Sequence, residues 1–349
     1  MKILVIGPSW IGDMIMSHSL YRTLKDINPN AEIDVMAPDW CHALLTYMPE
    51  VNQAIEMHIE HKKLAINERY RLGKSLRQKK YDRAYILPNS FKSALIPFFA
   101  RIPFRVGWKG EMRYGILTHV HYQINKNSFP LMVERYIALA YPSHLIKTAE
   151  DLSKPLLWPI LKVMDKDIIK TMDTFNLTSH RLMIGLCPGA ALGIAKCWPH
   201  YHYTVVAQKM IKNGYYIALF GSYQDNNIGT NIYYALTKYE RKYCSNFIGK
   251  TNLEQVIILI AACKAIVTND SGLMHIAAAL NKPVVALYGP TNPYFTPPLC
   301  KKSIIIHLST SNIKIRKRNS NYNDYHSTLV DIHPDIVIQA LKELLLKDD

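Results

Sequence analysis

Short apolar runs that stop at a glycine, proline or asparagine and give way to a helical pattern recur along this chain of 349 residues. No other feature limits its fold as much. Ile3-Leu4-Val5-Ile6 ends at Gly7, and an unbroken apolar run of this length suits a strand buried on both faces of a parallel sheet. The turn Gly7-Pro8-Ser9-Trp10-Ile11-Gly12 leads to Asp13, after which Met14, Ile15, Leu20, Tyr21, Leu24 and Ile27 recur at the steps of a helix. Residues 33–36 read as the next strand, and 81–87 as a later one stopped by Pro88.

The second half repeats the scheme. A strand is expected over 182–187, ending in Pro188-Gly189, then a helix over 198–211 with Pro199 in its first turn. Strands follow over 215–220, 265–268 and 283–288, closed by Gly221-Ser222, Asn269-Asp270 and Gly289-Pro290. A strongly apolar helix occupies 253–262, and Ser271-Gly272 opens another through Leu280. Strands alternating with helices predict an α/β chain with parallel sheets. Two such series, in a chain longer than the roughly 100–200 residues of one core, predict two doubly wound domains. Periodicity lapses over 142–180, and the linker is expected at 166–180, between domains 1–165 and 181–330. An Asn-rich polar stretch, 309–327, precedes an amphipathic helix in the terminal segment 331–349. In such folds ligands bind beyond the carboxyl ends of the strands, so the residues just after each strand carry the interest.

Composition adds a charge. Lys and Arg number 42 against 27 Asp and Glu, +15 with His neutral, which points to an anionic partner: nucleic acid, a phosphorylated small molecule or an acidic membrane surface. A hydrophobic share of 49% with 20% charged residues excludes disorder, collagen and coiled coil. Between Lys62 and Arg83 nine basic residues face only Glu68 and Asp82. Leu64, Leu72 and Leu76 run through this segment at helical spacing, so it reads as a solvated helix or as a surface for anionic membrane. No zinc-finger or aromatic-interleaved pattern supports nucleic acid. The six cysteines form no C-x-x-C pair, which suits a reducing cytoplasm. The opening apolar run is too brief for a signal peptide and 256–263 too short to span a bilayer.

Asp13, at the mouth of the first strand-helix turn, is either a helix-terminal acid, stabilising by about 0.3–1 kcal/mol, or a carboxylate placed to act as a general base. Ser9 stands where G-x-G-x-x-G needs its second glycine, and no G-x-x-x-x-G-K-[ST] occurs, so neither a dinucleotide fingerprint nor a P-loop is present. Thr268-Asn269-Asp270-Ser271-Gly272-Leu273-Met274-His275 places small residues where a helix opens. That is an ordinary N-cap or a phosphate cradle. Lys196 is a surface charge or the counter-charge of a diphosphate, and Asp225, after Gly221, is placed to meet a ribose. Asp165-Lys166-Asp167 follows no strand, and His200 and His202 lack partners at zinc spacing. No metal is expected.

Several of these segments together are similar to the ADP-heptose:lipopolysaccharide heptosyltransferases. They are residues 1–14, Leu87-Pro88-Asn89-Ser90-Phe91-Lys92-Ser93-Ala94, Gly107-Trp108 with Met112-Arg113-Tyr114-Gly115, residues 268–275, and Tyr288-Gly289-Pro290-Thr291. They occur in the family's order over essentially the whole length. The resemblance implies a GT-B fold of two Rossmann-like domains facing across a cleft. The first would bind the acceptor and the second the nucleotide-sugar, with the C-terminal helix packing back on the first. It implies inverting transfer of a heptose from ADP-heptose onto the first heptose of a lipid A-core acceptor, without a cofactor or an obligatory metal, at the inner face of the cytoplasmic membrane. Asp13 matches the general base, and Lys196, Asp270, Ser271 and Gly272, with His275 nearby, match the diphosphate site. Asp225 and Thr251 match the contacts to ribose and adenine; Ser90, Lys92 and Arg113 are the candidates for the acceptor's acidic groups. Before Trp198-Pro199 the family usually carries an acid, a proline and an arginine where Ala191, Ile194 and Cys197 stand here. Loss of the guanidinium is expected to weaken donor binding. A GT-B transferase of another nucleotide-sugar and a basic membrane- or nucleic-acid-binding protein are the alternatives.

Overall fold

The computed structural model describes residues 1–59, 63–122, 127–177, 180–191, 193–308 and 325–346. It divides into two units, Met1–Lys162 and Val163–Asp349.

The first unit runs β1 (Lys2–Ile6), α1 (Ile11–Ile27), β2 (Glu32–Ala37), α2 (His42–Leu45), β3 (Gln53–Glu56), α3 (Ile66–Leu76), β4 (Arg83–Ile86), α4 (Phe91–Phe99), β5 (Phe104–Trp108), β6 (His119–His121) and α5 (Met132–Ala138). Its strands pair in parallel in the order β3-β2-β1-β4-β5-β6. Ile3, Leu4, Val5 and Ile6 are buried, as the unbroken apolar run requires of a central strand. Gly7 follows because a Cβ there would stand 2.6 Å from Met14 Cε and 3.3 Å from the Met36 carbonyl. A side chain there would have to displace the end of Met14, at the start of α1.

The second unit runs α6 (Asp165–Thr174), β7 (Met183–Cys187), α7 (His200–Lys212), β8 (Tyr216–Leu219), α8 (Asn226–Ala235), β9 (Cys244–Asn246), α9 (Leu253–Ala262), β10 (Ala265–Asn269), α10 (Gly272–Ala279), β11 (Val284–Tyr288), β12 (Ser303–His307), α11 (Ser327–Val330) and α12 (Pro334–Leu346). Its parallel sheet has the order β12-β11-β10-β7-β8-β9. Numbered from β7, this is the first unit's order again. The direction of winding reverses between β1 and β4 in one sheet and between β7 and β10 in the other, and ligands of doubly wound folds bind at those points.

Two expectations about boundaries change. The expected linker at 166–180 begins inside α6, which packs on α9 and so belongs to the second unit; residues 178–179 lie outside the described residues. The terminal helix, expected against the first unit, lies on the second: α12 packs on α7 and on β10, β11 and β12. Val337, Leu341, Leu344 and Leu345 form its buried stripe, each contributing about 1.5–3 kcal/mol. Trp198, fully buried, donates from Nε1 to the Ile332 carbonyl at 2.9 Å and ties the start of α7 to the turn before α12. All six cysteines are free and buried. Among the described residues no helix is long and apolar enough to cross a membrane.

Candidate active-site residues in each unit

In the second unit, the apolar strand β10 ends at Asn269 and α10 starts at Gly272, leaving Asp270 and Ser271 as the turn. Ser271 is extended (φ −146°, ψ 171°) and its side chain makes no capping bond. The first N–H groups of α10 thus carry the helix's partial positive charge without a side-chain cap. Asp270 accepts a hydrogen bond from Lys196 Nζ at 3.0 Å, the two side chains being 11% and 18% exposed. An ammonium has three donors, and Asp270 takes one. His275, on the first turns of α10, is buried, and burial pushes its imidazole down to about 4 against the pull of Asp270. It is neutral at neutral pH. Lys196, Asp270, Ser271, Gly272 and His275 are thus brought together at the point where the winding reverses.

Asp225 stands on the neighbouring loop, after β8. Its Oδ2 accepts from the Ser222 amide at 2.8 Å and from Ser222 Oγ at 2.7 Å. A Cβ on Gly189 would lie 2.2 Å from the Asp225 carboxyl carbon, so the glycine after β7 is what admits this carboxylate. Thr251 is one strand further along, after β9, and its Oγ1 donates to the Phe247 carbonyl at 3.2 Å. The Gly249 amide donates to the Gly221 carbonyl at 3.2 Å, joining that loop to the one that carries Asp225. A cavity of about 630 Å³ opens among Ala191, Ile194, Cys197, His200, Asp225 and Ile228; Lys196 and Asp270 are not in its lining. All three residues that depart from the family loop, Ala191, Ile194 and Cys197, therefore line this cavity, and burial pushes the Cys197 thiol up to about 12.

In the first unit, Asp13 lies in the first turn of α1. It is half-buried, and burial raises its carboxyl above the usual carboxylate range. Ser90 and Lys92 line a small cavity of about 60 Å³ with Ser9, Trp40, Arg69 and Ser93, beyond the ends of β1 and β4. Arg69 is the surprise among them. Counted in sequence with the basic surface segment, it is 3% exposed, and its Nε donates to the Leu64 carbonyl at 2.7 Å. Arg113 is buried in the same way. It is 3% exposed, donating to the carbonyls of Pro88 (2.8 Å) and Trp108 and to Asn89 Oδ1 (3.3 Å). Its guanidinium ties together the loops around Ser90 and Lys92, with Nε the one nitrogen left without a hydrogen-bond partner. Sequence reasoning also missed Glu111, whose carboxylate accepts from the Phe91 amide at 2.8 Å and caps α4. Away from these groups, Asp39, Glu56 and His58 place ligand-type atoms within 4.8 Å of one another, all on exposed side chains. His58 there bridges the two carboxylates, at 3.1 and 2.9 Å.

Residues 69–326 match glycosyltransferase family 9 (heptosyltransferase). The chain is 58% identical to lipopolysaccharide heptosyltransferase 2 of Escherichia coli (strain K12), with both chains covered in full. It is 53% identical to lipooligosaccharide heptosyltransferase 2 of Haemophilus ducreyi, with 99% of each covered. Its fold superposes on the solved structure of E. coli ADP-heptose lps heptosyltransferase II with a TM-score of 0.92 at 56% identity, over 100% of this chain and 99% of that one. The paired doubly wound units are those of a GT-B enzyme. With a family match across both units and relatives of this identity over the full length, the chain belongs to glycosyltransferase family 9, the heptosyltransferases.

Proposed function

We propose that this enzyme moves L-glycero-D-manno-heptose from ADP-heptose to the first heptose of the lipopolysaccharide inner core, with inversion. The observation that carries the reading is the Lys196–Asp270 pair beside the uncapped start of α10, in a chain alike over its whole length to lipopolysaccharide heptosyltransferase 2. Asp13 takes the proton from the attacking acceptor hydroxyl. The freed oxygen bonds to the anomeric carbon as the bond from that carbon to the β-phosphate oxygen breaks, and ADP leaves with the electron pair. Lys196 and the α10 amides offset the charge that ADP gains. With that counter-charge supplied by the chain itself, the reaction is read as needing no obligatory metal. Asp225 takes the ribose hydroxyls and Thr251 the adenine edge, while Ser90 and Lys92 meet the acceptor's acidic groups. Purified protein given ADP-heptose and a mono-heptosylated core acceptor should release ADP in step with acceptor consumed. Equal release from UDP-sugars would reject the donor assignment, and no release would reject the reaction.

The enzyme is further proposed to work in the cytoplasm, at the membrane's inner face. Of the basic segment, Arg69 is buried, Arg77 donates to the Phe99 carbonyl at 2.9 Å, and Arg83 lies 5.4 Å from the centre of the Phe104 ring. Lys62 lies outside the described residues. Lys63, Arg71, Lys74, Lys79 and Lys80 remain exposed, and so do Leu64, Ile66 and Tyr70 beside them. Cations interspersed with exposed apolar groups suit an anionic bilayer surface. The protein should therefore sediment with vesicles containing about 30% phosphatidylglycerol, less so as salt is raised. Sedimentation unchanged by Lys74→Glu with Lys80→Glu would reject this surface.

A further inference from the structure

Asn269 is fully buried at the end of β10, next to Asp270, and both ends of its amide are in use. Its Oδ1 accepts from the Trp198 amide at 3.0 Å and from the Tyr203 hydroxyl at 3.1 Å. Its Nδ2 donates to the carbonyls of Pro188 (2.8 Å) and Gly189 (3.3 Å). A side-chain amide has two donors and two acceptor lone pairs, so these four bonds exhaust it. The partners are not scattered. Pro188 and Gly189 begin the loop that follows β7, and Trp198 ends it, two residues after Lys196. One amide therefore pins both ends of the loop that carries Lys196 to the strand end that carries Asp270. Gly189 is also the residue against which Asp225 rests.

We propose that Asn269 is the positioning residue of the donor site. It fixes the separation of Lys196 from Asp270 and the seat of Asp225, so that the counter-charge is in place before a diphosphate arrives. The inference rests on the reading that Lys196 and Asp270 hold the donor's diphosphate. Its physical basis is that an amide is the only side chain here that satisfies two N–H or O–H donors and two carbonyls at once. A carboxylate of the same shape accepts from Trp198 and Tyr203 but turns an oxygen toward the Pro188 and Gly189 carbonyls, which repels them and leaves a charge in a buried place.

The test compares Asn269→Asp, Tyr203→Phe and Lys196→Ala by calorimetric ADP affinity, by KM for each substrate and by thermal unfolding. Asn269→Asp should raise the donor KM and the ADP Kd by about tenfold or more, of the order that such a buried network loses, and leave the acceptor KM within about twofold. Tyr203→Phe keeps the volume and removes one of the four bonds, together with the hydroxyl's 3.2 Å contact to the Cys187 carbonyl, with which its one proton is shared; it should raise the donor KM by roughly threefold. Tyr216→Phe, which loses a 2.7 Å bond to Ser245 Oγ elsewhere in the unit, serves as the control, lowering Tm without moving the donor KM. A folded Asn269→Asp with unchanged ADP affinity would overturn the proposal; should that variant not fold, an unchanged donor KM in Tyr203→Phe overturns it. If instead Lys196→Ala leaves ADP affinity intact, the diphosphate site itself is misplaced, and the fault lies with the functional reading rather than with Asn269.

Discussion

Asp13→Asn is expected to lower kcat by about 10²–10⁴-fold, the usual worth of a positioned general base, with ADP affinity changed by less than about twofold because the donor is held by the other unit's residues. The same substitution should leave Tm equal or higher. Burial raises the Asp13 carboxyl above the ordinary range, so the folded chain holds this proton more tightly than the unfolded one. The ionised form thus costs stability above the folded pKa, and the cost fades as pH falls through it. An amide carries no such cost. Activity needs the ionised form, so the acid limb of kcat/KM for the wild type should lie above the usual carboxylate range and vanish from the residual rate of the variant. Steady-state rates over pH, with unfolding followed in parallel, check both halves. A variant that keeps most of its rate would show that Asp13 is only a helix-terminal acid.

Lys196→Ala should reduce kcat/KM for the donor by about 10²–10³-fold, as removal of a group that meets developing charge commonly does. It should also lower Tm, since Asp270, 11% exposed, is left without its cation. The double variant Lys196→Ala with Asp270→Ala separates the two effects. It removes the orphaned carboxylate, so much of the lost stability should return while the rate does not. Recovery of the rate with the stability would mean that the pair only holds the fold together.

How much of this was written in the sequence depends on where a residue sits in the sheet. Central strands were legible: β1, β7, β10 and β11 are built mainly of buried apolar residues, and the expected bounds differ from the observed ones by a residue or so. Edge and outer strands were not. β3 (Gln-Ala-Ile-Glu), β6 (His-Val-His) and β9 (Cys-Ser-Asn) are short and mixed in polarity, and such segments become strands because a neighbour offers its edge. The phosphate-type turn at 270–272 was legible because small residues and a helix start are local facts. The burial of Arg113 and Arg69 was not, since nothing near them in sequence tells that carbonyls 24 or more residues away, or just upstream, will accept from the guanidinium. Asn269 belongs to a legible turn motif, but its partners lie up to 81 residues away in sequence.

The burial of every thiol makes this enzyme a natural spectroscopic scaffold. Burial pushes Cys41, Cys197, Cys244 and Cys263 up to about 12 and raises Cys187 and Cys300 as well, so almost no thiolate is present at neutral pH to meet a maleimide. Cysteines introduced at exposed places, such as Leu145→Cys in the first unit and Tyr239→Cys in the second, 58% and 61% exposed, would take dyes selectively in the otherwise unaltered protein. The distance between the units could then be followed by energy transfer as ADP is added, with no native cysteine removed beforehand.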